Sequence, residues 1–292
     1  MKIRLCLLTL FVASQWALSQ EIGDYISKYT AENGKGYMQP LADVFGADLN
    51  SGLFQGGRLP QVGFRLTIGV KGVMARIGDD VKTFKATTEE PFSPTHTAKV
   101  PTIFGKNEAV SVTGVGGTVY NFPGGFDMDM MPLVIPQATI GSLLGTEATV
   151  RYFMANLGED IGDLKLAGIG VRHSISQYLP LLPIDLSVGY FSQKFSVGEV
   201  VEAQAVYYGA QVGKTWGILC LYGGAGYEST EVTVTYDQEK DVESSRVSFD
   251  MKSEDQLRFT VGVGLNLVFL KIHADYNIAS QKTLCAGIGF GW

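Results

Sequence analysis

Beyond residue 19 the chain has no apolar run approaching the roughly 18 residues that a membrane-crossing helix needs, because Gly, Arg, Lys, Asp and Thr interrupt every candidate. If the protein meets lipid, it does so with strands. Cysteine is nearly as scarce: of three, Cys6 falls inside a leader-like start, which leaves Cys220 and Cys285. The alternation described below sets these two on opposite faces of strands that are not neighbours, so no structural disulfide is expected. Positive charge is in deficit, with 23 Lys and Arg against 29 Asp and Glu, and a nucleic-acid partner is excluded on that ground. Metal chemistry has little to work with, since Asp127 and Asp129 lack the glycine-punctuated frame of a calcium loop. Neither a metal nor any other cofactor is expected.

What is present begins with a leader. Lys2 and Arg4 precede the apolar run Leu5 to Val12, and Ala17, Leu18 and Ser19 form a small-x-small site, so residues 1–19 are expected to be a signal peptide cleaved near Ser19/Gln20. Its loss moves the net charge from −6 to −8. Residues 20–60 read as a helical cap or plug. Ile22, Tyr25, Ile26 and Tyr29 recur at helical spacing, and so do Tyr37, Leu41, Val44 and Phe45 after Asn33-Gly34, which predicts two short amphipathic helices ended by Gly46 and the Asn50-Ser51-Gly52 cluster.

From Gln61 the period changes to two. Val62, Phe64, Leu66, Ile68 and Val70 alternate with Gly63, Arg65, Thr67, Gly69 and Lys71. Leu257 to Leu265 alternates with Arg258 to Asn266, and Ile272, Ala274, Tyr276 and Ile278 with Lys271, His273, Asp275 and Asn277. The abundance of glycine (36), tyrosine (13) and phenylalanine (16) fits such strands. A polar row crowded with glycine suits a lumen better than a solvent face, which predicts an all-β fold: an antiparallel transmembrane β-barrel of about 10 to 12 strands over residues 61–292. Residues 78 to 130 decide the count, as two more strands or as one long outer loop. Short connections near 144, 179 to 183, 214 and 267 fall on one side, and those near 157 to 162, 196 to 199 and 237 to 243 on the other.

Leu284, Ala286, Ile288, Phe290 and Trp292 form an apolar row to the last residue, which resembles the terminal signal that the barrel assembly machinery reads in outer-membrane proteins. Further stretches resemble a family of bacterial outer-membrane barrels known only as a domain of unknown function: Pro101-Thr102-Ile103-Phe104-Gly105, Phe122-Pro123-Gly124-Gly125, Pro132-Leu133-Val134-Ile135-Pro136-Gln137, Gly145 to Tyr152, His173 to Tyr178, and Leu221-Tyr222-Gly223-Gly224. The resemblance implies a barrel in the bacterial outer membrane and assigns no activity. More distantly, a helical start before a barrel is similar in architecture to outer-membrane transporters of fatty acids and hydrocarbons.

The expected lumen cluster is Arg258, Lys271, His273 and Asp275, with Arg65, Lys71, Arg151 and Asp185 as further lining residues. Arg172-His173-Ser174-Ile175-Ser176 invites a hydrolase reading, but neither serine shares the strand face of His173, so an enzyme is not expected. The function expected is a narrow or gated channel or transporter for a small molecule, with a hydrophobic ligand suggested by the Phe122 to Met131 stretch. A lipid-modifying enzyme and a structural or adhesive barrel are the alternatives. The expected partners are outer-membrane lipids, lipopolysaccharide and, during biogenesis, the barrel assembly machinery.

Overall fold

The computed structural model describes residues 25–54, 56, 59, 61–90, 92–156, 162–179, 181–238, 245–253 and 256–291. The expected signal peptide, Trp292 and residues 239–244 of the acidic connection lie outside the described residues. The helix α1 (Ala31–Leu49) precedes β1 (Val62–Arg76). An insertion then carries two small hairpins, β2 (Thr83–Thr87) with β3 (Thr97–Pro101) and β4 (Val110–Thr113) with β5 (Val119–Phe122). The meander continues as β6 (Met130–Leu143), β7 (Thr146–Asn156), β8 (Asp163–Ser174), β9 (Asp185–Val197), β10 (Val201–Trp216) and β11 (Leu219–Gln238). It finishes with β12 (Ser245–Lys252), β13 (Gln256–Asn266), β14 (Leu270–Ile278) and β15 (Lys282–Gly291).

Ten of these strands, β1, β6 to β11 and β13 to β15, pair antiparallel in a ring. It closes where β1 pairs with β15, Lys71 opposite Gly287. β12 and β13 divide one partner between them: β12 pairs with Glu231 to Gln238 of β11, and β13 with Leu219 to Glu228. The insertion at 78–130 adds hairpins outside the ring, so the loop reading gives the strand count. The β13–β14 register sums to an odd number, as in Gly262 opposite Asp275, and keeps both apolar rows on one face.

The polarity of the wall inverts along its height. Near the short turns, at Leu144-Gly145, Gly217-Ile218 and Leu267 to Phe269, the outward side chains are apolar, with Ile68 59% and Val261 68% exposed. Only hydrocarbon suits such a band, and the barrel is transmembrane. The inward row at this level is buried and polar: Thr67, Lys71, Gln137, Arg151, Gln211, Arg258 and Asp275. Toward the long connections, β8 to β12 reverse this. Leu164, Leu166, Ala203, Ala205, Val232 and Val234 are buried inside, while Lys165, Lys194, Glu202 and Glu231 are exposed outside and form the ion pairs Lys194–Glu202 and Lys252–Glu231. This part of the wall has the cross-section of a water-soluble sheet.

α1 lies in the apolar half. Tyr37, Met38, Leu41, Val44 and Phe45 pack into the same core as Val73, Ile135, Leu166, Phe195 and Val234. The break expected at Asn33-Gly34 falls inside α1, and helical Tyr25 and Ile26 are set off from it by a turn at 27–29: the Asn33 amide is engaged by Thr87, donating to its carbonyl at 2.8 Å and accepting from its N–H at 3.2 Å. Gly46, read above as a stop, is instead a point of contact. A Cβ there would meet Thr230 Oγ1 at 2.6 Å, so only glycine lets the helix lie against β11. Gly46→Ala should therefore destabilise the folded barrel by about 1–3 kcal/mol and expose α1 to protease in detergent, whereas Glu32→Ala on the exposed side should do neither.

Candidate functional site

α1 begins without a side-chain cap of its own and has no basic residue in its last turn. Both ends of its dipole are completed by other elements. At the start, Thr30 donates its N–H to Glu89 Oε1 at 2.9 Å and its hydroxyl to the same oxygen at 2.7 Å, from the insertion between β2 and β3. The insertion grips the helix further along, with Ile103 N–H donating to the Tyr37 carbonyl at 3.1 Å and Tyr37 Oη to the Gly124 carbonyl at 3.0 Å.

At the other end, three wall arginines hold backbone carbonyls of the plug. Arg151 on β7 donates from Nη1 to Leu49 O at 2.9 Å and from Nη2 to Ser51 O at 2.8 Å, and its other contacts are the side-chain oxygens of Gln137 and Gln193. Arg258 on β13 donates to Ala47 O at 2.9 Å and Ser51 Oγ at 2.8 Å while paired with Glu228 at 2.6 Å. Arg172 on β8 pairs with Glu147 at 2.5 Å and reaches Gly56 O at 2.6 Å. Each guanidinium has a planar fork of donors, so it can hold a wall carboxylate or amide on one edge and the plug on the other. Between the latches Phe54 packs edge-on to Phe191 and Tyr207, with ring centroids 6.0 and 5.7 Å away.

Asp48, fully buried beside this latch, has neither carboxylate oxygen hydrogen-bonded. Gly52, with φ +63°, turns the chain directly over Cys285 Sγ, 2.6 Å from where its Cβ would sit.

The expected lumen cluster separates into three. His273 and Asp275 stand together, but their cationic neighbour is Lys71 of β1, which bonds His273. Asp275 accepts from Tyr222 Oη at 3.1 Å and Asn277 Nδ2 at 2.8 Å. Lys271 lies lower, donating to Thr67 at 2.6 Å, and Arg258 belongs to the helix latch. Asp185 is half-buried at the inward end of β9. Below the plug, at the short-turn mouth, a cavity of about 290 Å³ is lined by Arg65, Thr67, Glu147, Arg172, Lys271 and Leu267.

His273, Asp275 and Cys285 bring ligand-type atoms within 4.8 Å of one another. His273 and Asp275 are already bonded to Lys71, Tyr222 and Asn277, and a cation would have to displace the Lys71 amine from His273. The two cysteines are both free and both face the lumen, a correction to the opposite faces expected. Cys220 pairs across with Gly264, whose row is inward, and Leu219 and Leu221 take the outside. His173 sits at the short-turn end of β8, with Nδ1 2.8 Å from Thr146 Oγ1 and Nε2 3.0 Å from Tyr178 Oη.

The sequence reading missed Arg172 as a lumen residue because it was considered only beside His173. Its parity with Gly168 and Gly170 marks it as inward. Gln137, Gln193 and Gln211 carry no comparable signal. Arg151→Lys keeps the charge and loses the fork, so hydrogen exchange at residues 45–54 should accelerate by about an order of magnitude or more, given ~1.5–3 kcal/mol for each hydrogen bond to a charged group. Asp48→Asn, which removes an unpartnered buried carboxylate, should leave those amides at least as protected.

Among solved structures the chain is similar to OmpTdeltaL8 of Vibrio cholerae (11% identity, 79% of this chain and 98% of that one, TM-score 0.30). It is also similar to Ail of Yersinia pestis (11%, 79% and 100%, TM-score 0.25) and to the outer membrane protease OmpT of Escherichia coli (10%, 80% and 97%, TM-score 0.32). Likeness at this level says nothing about activity, and the barrel rests on its own strand register. No curated protein matches the sequence. The model described as "Family of unknown function (DUF6588)" matches residues 1–292, and the chain belongs to that family.

Proposed function

We propose that the protein is a bacterial outer-membrane barrel whose lumen is a narrow, plug-gated pathway for a small lipophilic molecule. The observation that carries the reading is the division of the plug's contacts. Its bulk rests in an apolar chamber, and its lower end is held by hydrogen bonds from Arg151, Arg172 and Arg258, directional contacts that reform after displacement. Shifting α1 would leave a chamber walled by Val73, Ile135, Leu166 and Val234, matched to a hydrocarbon solute and poorly matched to ions or sugars. By the usual orientation of such barrels the short turns face the periplasm and the 78–130 insertion faces outward. Lipopolysaccharide would then surround the outer rim, and the polar cavity at the mouth would be the periplasmic vestibule.

The latch also supplies the test. Ser51 Oγ and Thr283 Oγ1 lie 2.6 Å apart, so Ser51→Cys with Thr283→Cys, in a chain carrying Cys220→Ala and Cys285→Ala, places two thiols for a disulfide between plug and wall. Oxidised, this protein should fail to move a fluorescent long-chain fatty acid into proteoliposomes, and reduction should restore uptake. Equal uptake in both states overturns the plug as the gate. Absence of uptake by the wild type, alongside binding of cells or matrix by the outer loops, would favour a structural or adhesive barrel.

A further inference from the structure

Every ring strand except β9 contributes to the wall of the cavity at the short-turn mouth, and Gly56 of the plug's tail also lines it. Its charge is one-sided. Among the described residues that line it, Arg65, Arg172 and Lys271 are cationic and Glu147 is the sole carboxylate, a net of +2. Glu147 faces Arg172, which donates to it from Nε at 2.8 Å and also holds Gly56 O at 2.6 Å and Gln211. Higher in the lumen the arginines are matched by protein groups, Arg258 by Glu228 and Arg151 by two glutamine side chains and two plug carbonyls. A concave wall that keeps an excess of one sign in a low-dielectric surround concentrates ions of the other.

The backbone gathers that excess on one side of the mouth. Arg65 and Thr67 are successive inward residues of β1, and Lys271 is inward on β14. Between them runs β15, whose inward residues at this level are Gly289, opposite Lys271, and Gly291, opposite Thr67. With no side chain in the way, Lys271 reaches over β15 to Thr67 Oγ1 at 2.6 Å. A Cβ on Gly291 would stand 2.7 Å from that oxygen, and one on Gly289 3.0 Å from the Thr67 methyl. The bare strand therefore brings the ammonium beside the strand that carries Arg65. Because Thr67 accepts from Lys271, its own hydroxyl hydrogen is left to donate into the cavity, and Asn266 adds an amide.

We propose that this vestibule is a binding site for a phosphate monoester dianion, with Arg65 and Lys271 as its counter-charges and Thr67 as a neutral donor. Such a group carries two charges and three terminal oxygens, which match the excess charge and the spread of donors, whereas a monocarboxylate matches one charge and offers two oxygens. An arginine fork takes phosphate oxygens in pairs, and a lysine meets them as a point charge. A cavity of about 290 Å³ holds the phosphate with a short polar substituent. Leu267 and Val268 form its rim, where a soluble sugar-like monoester from the water or the headgroup of a monoester lipid would present the same oxygens. The site lies below the plug and does not rest on the gated pathway.

Glycerol 3-phosphate and phosphatidic acid separate these two sources. The chain from residue 20 is refolded in phosphate-free micelles of a neutral maltoside and titrated calorimetrically with glycerol 3-phosphate, at a pH about two units above the second phosphate pKa of ~6. In parallel it is reconstituted into phosphatidylcholine vesicles holding a small fraction of phosphatidic acid, whose phosphorus resonance is followed. Arg65→Gln and Lys271→Gln should each weaken binding about tenfold or more, and the double variant should abolish it. Arg65→Lys and Lys271→Arg should keep it within a few-fold, and heat-dependent gel mobility reports that each variant is a folded barrel. Lys165→Gln, on the outer wall, should change nothing, and acetate should bind about tenfold more weakly than the monoester. Glycerol 3-phosphate bound by the wild type and lost in the double variant supports the site with a source in water. Broadening of the phosphatidic acid signal alone, lost in the same variant, supports it with a source in the bilayer. Absence of binding in both arms, binding that survives removal of both cations in a folded protein, or acetate held as tightly as the monoester overturns it.

Discussion

The structure depends on a helix that cannot complete its own ends. α1 has no N-terminal side-chain cap and no basic residue near its C-terminus, so Glu89 from the insertion and Arg151 and Arg258 from the wall supply the charges its dipole calls for. Buried guanidinium groups need several acceptors each, and the carbonyls of Ala47, Leu49 and Ser51, together with Glu228, Gln137 and Gln193, provide them. Neither partner would be tolerable in the lumen alone. The polar middle of the barrel and the position of the plug are one arrangement seen from two sides.

The inversion of the wall follows from the same economy. A strand that crosses hydrocarbon must present apolar side chains outward, and its inward row is free to be polar. Where β8 to β12 rise beyond that band the outward row turns to lysine and glutamate, and the inward row is then needed for a core. The helix fills that core as a helix fills the face of a sheet in a soluble protein.

The strand alternation was legible because period two needs no tertiary information, and it placed Lys71, Arg151, Arg258, His273 and Asp275 inward before any neighbour was known. What those side chains touch was not legible. Arg151 and Arg258 bind backbone carbonyls, which have no sequence identity, and Lys71 meets His273 only because the first and last strands close the ring. The Asn33-Gly34 pair misled for a related reason: its turn propensity is local, and the Thr87 backbone that holds the asparagine lies 54 residues away. For Cys220 the error was one of parity alone, and the β11–β13 register corrects it.

α1 comes just before β1 in the chain, and β1 with β15 is the pair that closes the ring between the first and last strands. The helix lies inside, with its tail running toward the short-turn end where β1 begins. A barrel sealed beforehand would have to pull the helix through its own polar waist, stripping the arginines of their acceptors on the way. The economical order is the reverse: the growing sheet curls around the helix as a mould around a mandrel, and the last strand docks when the contents are already in place.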